Sequence, residues 1–265
     1  MSLVNQQLVS DAIKVIQLTD THVFSDDQKF YYPGIRSNQT FDAVLQRIQQ
    51  NDLADTQCIF LTGDVSQDET KESYQYIVDR LTMLNLPVYW VPGNHDNVSA
   101  MTEVFAQSKL FFRIPRLSLP HWEFIFLNTQ LVGDTTGIGY VSAVEMKVLD
   151  DALAQIGETN KSIAVVLHHH LTEVGTPFID RLMVQNRAEV LQKLMAARVK
   201  LVIHGHVHGD YRVIRDEIVF ESAPATCAQL KKGITEFAVE KKIGYKTYCF
   251  TSRGYDSVTS LWENN

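Results

Sequence analysis

Along this chain, short apolar runs end abruptly in polar residues. AIKVIQLTDTH, QCIFLTGDV, PVYWVPGNHD, FIFLNTQ, IAVVLHHH and KLVIHGHVH all have this form. Each run is rich in β-branched and aromatic residues and is of strand length. Near-continuous apolar runs suit strands that are buried on both faces. Between them the period changes to that of a helix. Phe41, Val44, Leu45 and Ile48 mark one helix, and Tyr74, Ile77, Val78, Leu81 and Leu84 a second. Ser142 and Glu145 read as a capping box ahead of Val148, Leu149, Leu153 and Ile156. Val190, Leu191, Leu194 and Met195 mark the last helix.

Alternating strands and helices predict an α/β fold with a largely parallel sheet. Residues 217–222 and 245–251 read as strands with no long helix between them, so a mixed or antiparallel final part is expected. No repeat of fixed period and no low-complexity linker interrupts the chain. Residues 1–265 are therefore read as one domain, at a length near which a single core stops growing.

Composition narrows the function. The formal net charge is -7 and no Lys/Arg run occurs, which argues against nucleic acid as a partner. No apolar stretch is long enough to span a membrane. The opening MSLVNQQLVSDAIKV has neither a basic n-region nor a long apolar h-region, which argues against a secretory signal. The cysteines Cys58, Cys227 and Cys249 are sparse and odd in number. They read as small core residues in a reducing cytoplasm, not as a disulfide framework or a thiolate zinc site.

The chemistry-bearing residues sit where the apolar runs end. In open α/β sheets, ligands gather beyond the carboxyl ends of the strands. Asp20, His22, Asp64, Asn94, His95, the trio His168, His169 and His170, and His206 with His208 can therefore converge. Carboxylates, imidazoles and one amide without a thiolate suit Zn, Mn or Fe, and the imidazoles argue against Mg or Ca. Glycine precedes the polar residue in Gly63-Asp64, Gly93-Asn94 and Gly205-His206, permitting a tight approach of backbone to an ion. Taken singly, Asp20, Asp64 and Asn94 read equally well as turn residues that bond their own backbone.

Together, Asp20-Thr21-His22, Gly63-Asp64, Gly93-Asn94-His95-Asp96, the histidine trio and Gly205-His206-Val207-His208 resemble the calcineurin-like metallophosphoesterases, in that family's order. HHHLTEVG, PFIDRLMVQN and APATCAQLKKG are further similar to the class III cyclic-nucleotide phosphodiesterases of bacteria. The resemblance implies the metallophosphoesterase α/β sandwich, with mixed, largely parallel sheets flanked by helices. It implies two metal ions. Asp20, His22 and His208 would hold one, Asp64 would bridge both, and Asn94, His206 and one histidine of the trio would hold the other. The family has the ligand two residues before a proline. Leu171 stands in the proline position here, which points to His169, with His168 as the alternative. Strand alternation would put His168 and His170 on the opposite side from His169.

The resemblance also implies the reaction, in which a hydroxide held between the ions attacks a phosphodiester such as cAMP. His95 would protonate the leaving oxygen, and Asp96 would orient its ring. His204 reads as a structural residue or a partner of the ligands, and Asp180 and Asn186 match positions where related phosphodiesterases carry similar residues, which implies a role at the substrate or behind the ligands. The loop 23–36 carries Phe30, Tyr31 and Tyr32, and reads either as a cover that stacks on substrate or as a self-packed surface loop. His121 reads as a surface or loop residue, and Lys231, Lys232, Lys241 and Lys242 as a solvated face. Relatives in this class are often dimers. Two other readings stand beside cyclic-nucleotide hydrolysis. One is the same chemistry on a glycerophosphodiester, nucleotide pyrophosphate or phosphomonoester. The other is a non-catalytic scaffold, which the intact ligand set and His95 disfavour.

Overall fold

The apolar runs form strands whose two faces enter two different cores. A computed structural model of the protein describes residues 12–157 and 159–264. The reading of residues 1–11 as free of an export signal lies outside the described residues. In the first sheet, β1 (Ile13–Leu18), β2 (Thr56–Thr62), β3 (Val88–Val91) and β4 (Phe111–Phe112) run parallel. Two long antiparallel strands, β13 (Lys242–Thr251) and β14 (Gly254–Glu263), extend it on the β1 side.

The second sheet holds β5 (Arg116–Ser118), β6 (Trp122–Phe126), β7 (Ser162–Val166), β8 (Leu201–His204), β9 (Tyr211–Arg215) and β10 (Ile218–Ser222). Its order is β5-β6-β7-β8-β10-β9, parallel from β6 through β8 to β10 and antiparallel at both edges. A small antiparallel pair, β11 (Gln229–Leu230) with β12 (Val239–Glu240), lies apart. The final part of the chain is thus mixed, as expected.

Strand periodicity explains the layers. On β2, Cys58 and Phe60 point between the sheets, while Ile59 and Leu61 point to the helices outside. On β7, Ala164 and Val166 point inward and Ile163 and Val165 outward. Phe60 packs edge-on against Phe124 and Phe126 at 5.1 and 5.3 Å between ring centroids, which joins the two sheets. Each such buried side chain contributes about 1.5–3 kcal/mol.

Helices α1 (Ser37–Asn51), α2 (Lys71–Thr82) and α3 (Val98–Phe105) cover the first sheet. Helices α4 (Ala143–Ile156) and α6 (Arg187–Ala196) cover the second, and α5 (Pro177–Asp180) is a single turn. Ser142 caps α4 by accepting from the Glu145 N–H at 3.2 Å. The other half of the expected capping box is diverted, because the Glu145 carboxylate accepts from the Asn128 N–H instead. No helix among the described residues is long and apolar enough to cross a membrane.

Candidate metal centre

The segments that leave β1, β2, β3, β7 and β8 are tied to one another by backbone bonds. The Asp20 N–H donates to the Gly63 carbonyl and the His22 N–H to the Asp64 carbonyl, both at 3.0 Å. The Gly205 N–H donates to the His168 carbonyl at 3.0 Å, and the His206 N–H to the Asp20 carboxylate at 3.1–3.2 Å. The His95 N–H donates to Asp64 Oδ1 at 2.8 Å. Asp20, His22, Asp64, His206 and His208 all have positive φ, between 42° and 70°. That conformation is strained for residues with a β-carbon and collects at functional sites. Glycine is required where the strand-end segments approach most closely, including Gly63, whose φ is +91° and whose β-carbon would meet His168 and the Gly93 backbone. A β-carbon on Gly93 would run into Asp64, and one on Gly205 into Thr19 and Asp20.

Two pockets of ligand atoms result. In the first, ligand atoms of Asp20, His22, Asp64 and His208 all lie within 4.8 Å of one another. His22 Nε2 and His208 Nε2 face each other at 3.1 Å, with Asp20 Oδ1 3.3 Å from the latter and Asp64 Oδ2 3.6 Å from the former. The other ring nitrogens are occupied. His208 Nδ1 donates to the Ala228 carbonyl at 3.0 Å, and His22 Nδ1 faces Gln67 Oε1 at 2.7 Å. Such outer partners hold Nε2 toward the pocket, as they do for metal-bound histidines.

In the second pocket, His168 Nε2 lies 3.3 Å from Asp64 Oδ2 and 3.2 Å from Asn94 Oδ1, while its Nδ1 donates to the Thr62 carbonyl at 2.7 Å. The ligand atoms of His168, His169 and His206 lie within 4.8 Å of one another. Nε2 of His169 and Nε2 of His206 are buried without a hydrogen-bond partner. His169 Nδ1 is bonded to Thr129 Oγ1 at 2.7 Å. Asp64 therefore stands between the two pockets. Within the trio, His168 meets Asp64 and Asn94, while His169, held by Thr129 through Nδ1, shares the second cluster with His168 and His206. Pairing continues beyond β7, with the Leu167 N–H bonded to the Ile203 carbonyl at 3.0 Å, so alternation still separates His168 from His169.

These donors fit cations. Lone pairs of carboxylates, imidazoles and one amide oxygen converge in a buried space with orphaned ring nitrogens, an arrangement a positive ion stabilises. Protonation follows the surroundings. Burial, followed by neighbouring imidazoles, holds His169 and His206 well below the usual histidine range. Burial outweighs the pull of Asp64 and lowers His22 to about 3. Burial also opposes charge on His168, but the adjacent Asp64 carboxylate prevails and lifts it to about 9.

The remaining candidates take other places. His95 is exposed at the mouth of the cleft, its ring centroid 5.0 Å from that of His22. Asp96 was expected to orient the His95 ring. Instead its carboxylate accepts from the N–H groups of Val65, Ser66 and Gly93 at 2.9–3.2 Å and from the Tyr74 hydroxyl at 3.3 Å, binding the second and third loops together. Burial, then the charge of Asp64, pushes Asp96 up to about 6. His170 Nε2 lies 3.4 Å from Asp180 Oδ1, and Asp180 also accepts from the N–H groups of Val174 and Thr176. His204 is buried beside His170 and bonds the Gly205 carbonyl through Nδ1. Asn186 clasps both backbone groups of Val141 and so fixes the loop that leads into α4.

Three partners escape sequence reasoning. Cys227 Sγ lies 3.7 Å from His208 Nδ1, the Tyr31 ring is 4.8 Å from that of His22, and Gln67 holds His22. Only Tyr31 had a signal, the aromatic content of its loop.

The sequence profile of the family described as Calcineurin-like phosphoesterase matches residues 13–210. The chain is similar to a probable cyclic nucleotide phosphodiesterase of Coxiella burnetii, at 30% identity over 95% of this chain and 98% of the relative. It is 31% identical to a 3',5'-cyclic-nucleotide phosphodiesterase of Nostoc, over 87% of this chain and 85% of the relative. A dimetal phosphatase from Danio rerio shares the fold, with a TM-score of 0.63 at 14% identity over 93% and 98% of the two chains. A profile spanning every strand-end motif, on a fold that brings those motifs into one pocket, places this chain in the calcineurin-like phosphoesterase family.

Proposed function

We propose that the protein hydrolyses 3′,5′-cyclic nucleotides, cAMP among them, as a metal-dependent phosphodiesterase. The observation that carries this is Asp64, shared between two buried pockets whose other donors are Asp20, His22 and His208 on one side and Asn94, His168 and His206 on the other. The names of the similar proteins supply the substrate class. These residues would hold two ions of the Fe, Mn or Zn type, with His168 as ligand in place of His169. Bound there, such ions supply Lewis acidity and positive charge for a phosphate group.

The chain's own residues do the rest. Asp20 and Asp64 carry two negative charges, fewer than two divalent ions would bring, so the pocket with its ions bound would attract a phosphodiester anion. The protein's charge of -7 matters less, because charges beyond about 10 Å are screened. His95 stands at the cleft mouth, its backbone fixed by Asp64, and serves as proton donor to the departing oxygen. The free cysteines, with Cys58 and Cys227 buried, suit a reducing cytoplasm.

The test is turnover of cAMP and of bis(p-nitrophenyl) phosphate by the purified protein reconstituted separately with Mn, Fe and Zn. Cleavage of cAMP to AMP, with metal present on the same sample by elemental analysis, is expected. Turnover of the generic ester with none of cyclic nucleotides would refute the reading in favour of another phosphoester.

A further inference from the structure

The cleft above the metal centre has two kinds of lining, polar and apolar, and the phosphate chemistry accounts for only the first. Its volume is about 410 Å³, within the usual range of about 300–1,000 Å³ for small-ligand sites. His22, Asp64, Asn94, His95, His206 and His208 line it on the metal side. Phe178, Leu182, Leu230 and Phe237 add an apolar lining, beside the polar Glu69, Asp134, Thr135 and Thr136. A phosphate and its ions need no apolar lining.

Phe237 lies between β11 and β12 and is 49% exposed, one of a few exposed large aromatics with Phe30, Tyr32 and Phe112, and of these four it alone lines this cleft. Its ring centroid is 5.8 Å from that of Phe178 and 6.0 Å from that of Tyr32. Three segments distant in sequence thus set aromatic rings in a row along one rim: the loop after β1, α5 and the β11–β12 connection. Arg181 adds a guanidinium 5.6 Å from the Phe178 ring. Phe237 lines the cleft and keeps about half of its surface open to solvent, more than packing the loops together requires. An open aromatic face costs free energy in water that a flat heterocycle recovers on stacking.

We propose that Phe237, with Phe178 beside it, is the platform on which the nucleobase of the cyclic nucleotide stacks while its phosphate lies on the metal side. This rests on the cyclic-nucleotide reading and adds to it the residues that select a base-bearing substrate. Any base has a flat face, so the platform favours nucleotides over simple phosphodiesters while discriminating weakly among bases.

The experiment compares kcat/KM for cAMP with that for ribose 3′,5′-cyclic phosphate lacking the base, in the metal-loaded wild type and in Phe237→Ala, Phe178→Ala and Phe237→Trp. The wild type is expected to favour cAMP. Both alanine variants should lower that preference about 5- to 100-fold, the range of a lost base–aromatic stack, mainly through KM, and Phe237→Trp should retain it. Hydrolysis of cAMP with the preference unmoved in both alanine variants overturns the platform alone. A wild type that leaves cAMP intact overturns the platform together with the reading on which it rests.

Discussion

His95 and Asp96 are adjacent in sequence and opposite in surroundings, and their variants should fail in opposite ways. His95 stands exposed at the cleft and is free to meet substrate. His95→Ala should keep its metal content by elemental analysis and its unfolding midpoint, while kcat falls about 10²- to 10⁴-fold, the usual worth of a positioned acid. Asp96 is buried and satisfies three backbone N–H groups. Asp96→Asn turns a donor toward those donors and should destabilise the fold by about 2–4 kcal/mol in denaturant unfolding. Full stability with reduced kcat alone would return Asp96 to the role of orienting His95. Residue types were legible in the sequence here, because ligands must be carboxylates, imidazoles or amides. Which neighbour does which task was not, because that depends on where a ring points. His168 and His169 illustrate this. With leucine in the proline position the motif loses its marker, and only Asp64, Asn94 and the Thr62 carbonyl distinguish the two rings. Elemental analysis should find His168→Ala depleted of one ion per chain, and His169→Ala much closer to the wild type.

At the scale of elements, legibility follows length and amphipathicity. The apolar stripes of α1, α4 and α6 fall within the observed helices, and that of α2 does so except for Leu84, which lies in the turn after Thr82, since two or more turns of apolar spacing leave no competing pattern. Helix α3 has eight residues and no apolar stripe long enough to register, and its start depends on the Asn97 side chain accepting from the Ala100 N–H. The two-residue strands β4, β11 and β12 were beyond reach, because strands so short are set by their neighbours and not by their own periodicity. The cap of α4 gives a clean measurement. Ser142→Ala removes the bond to the Glu145 N–H and should lower stability by about 1 kcal/mol, a fall of about 2–4 °C in Tm for a chain of this size. The residue lies outside the cleft lining, so kcat/KM should stay at the wild-type value. A drop in activity would mean that α4 transmits to the site through Glu145 and Asn128.

For the whole molecule, the sequence order of the motifs was enough to foresee that residues 20 and 208 would meet, but it said nothing of how the two sheets are held in register behind them. Part of that work falls to a buried charge cluster. Lys246 on β13 of the first sheet is 2% exposed. Its Nζ lies 2.6 Å from Asp210 Oδ1 and 3.5 Å from Glu221 Oε2 on β10 of the second sheet. Glu221 also accepts from Arg212 at 3.1 Å and from the Tyr255 hydroxyl at 2.9 Å. Asp210 follows His208 by two residues, so the cluster joins sheet packing to the last metal-binding loop. No motif announces it, because a lysine inside a strand reads as an outward-facing residue until the partner sheet is placed. Removing Lys246 leaves buried Glu221 with half-exposed Arg212 as its remaining counter-charge, and partly exposed Asp210 without its nearest one. Lys246→Met should therefore destabilise by about 1.5–3 kcal/mol in denaturant unfolding, still above the effect of losing a surface pair. Adding Glu221→Gln to that variant should recover part of the loss, because the charge left behind is what makes the single change severe. Additive losses in the double variant would show that Lys246 acts through its packed methylenes and not through its charge.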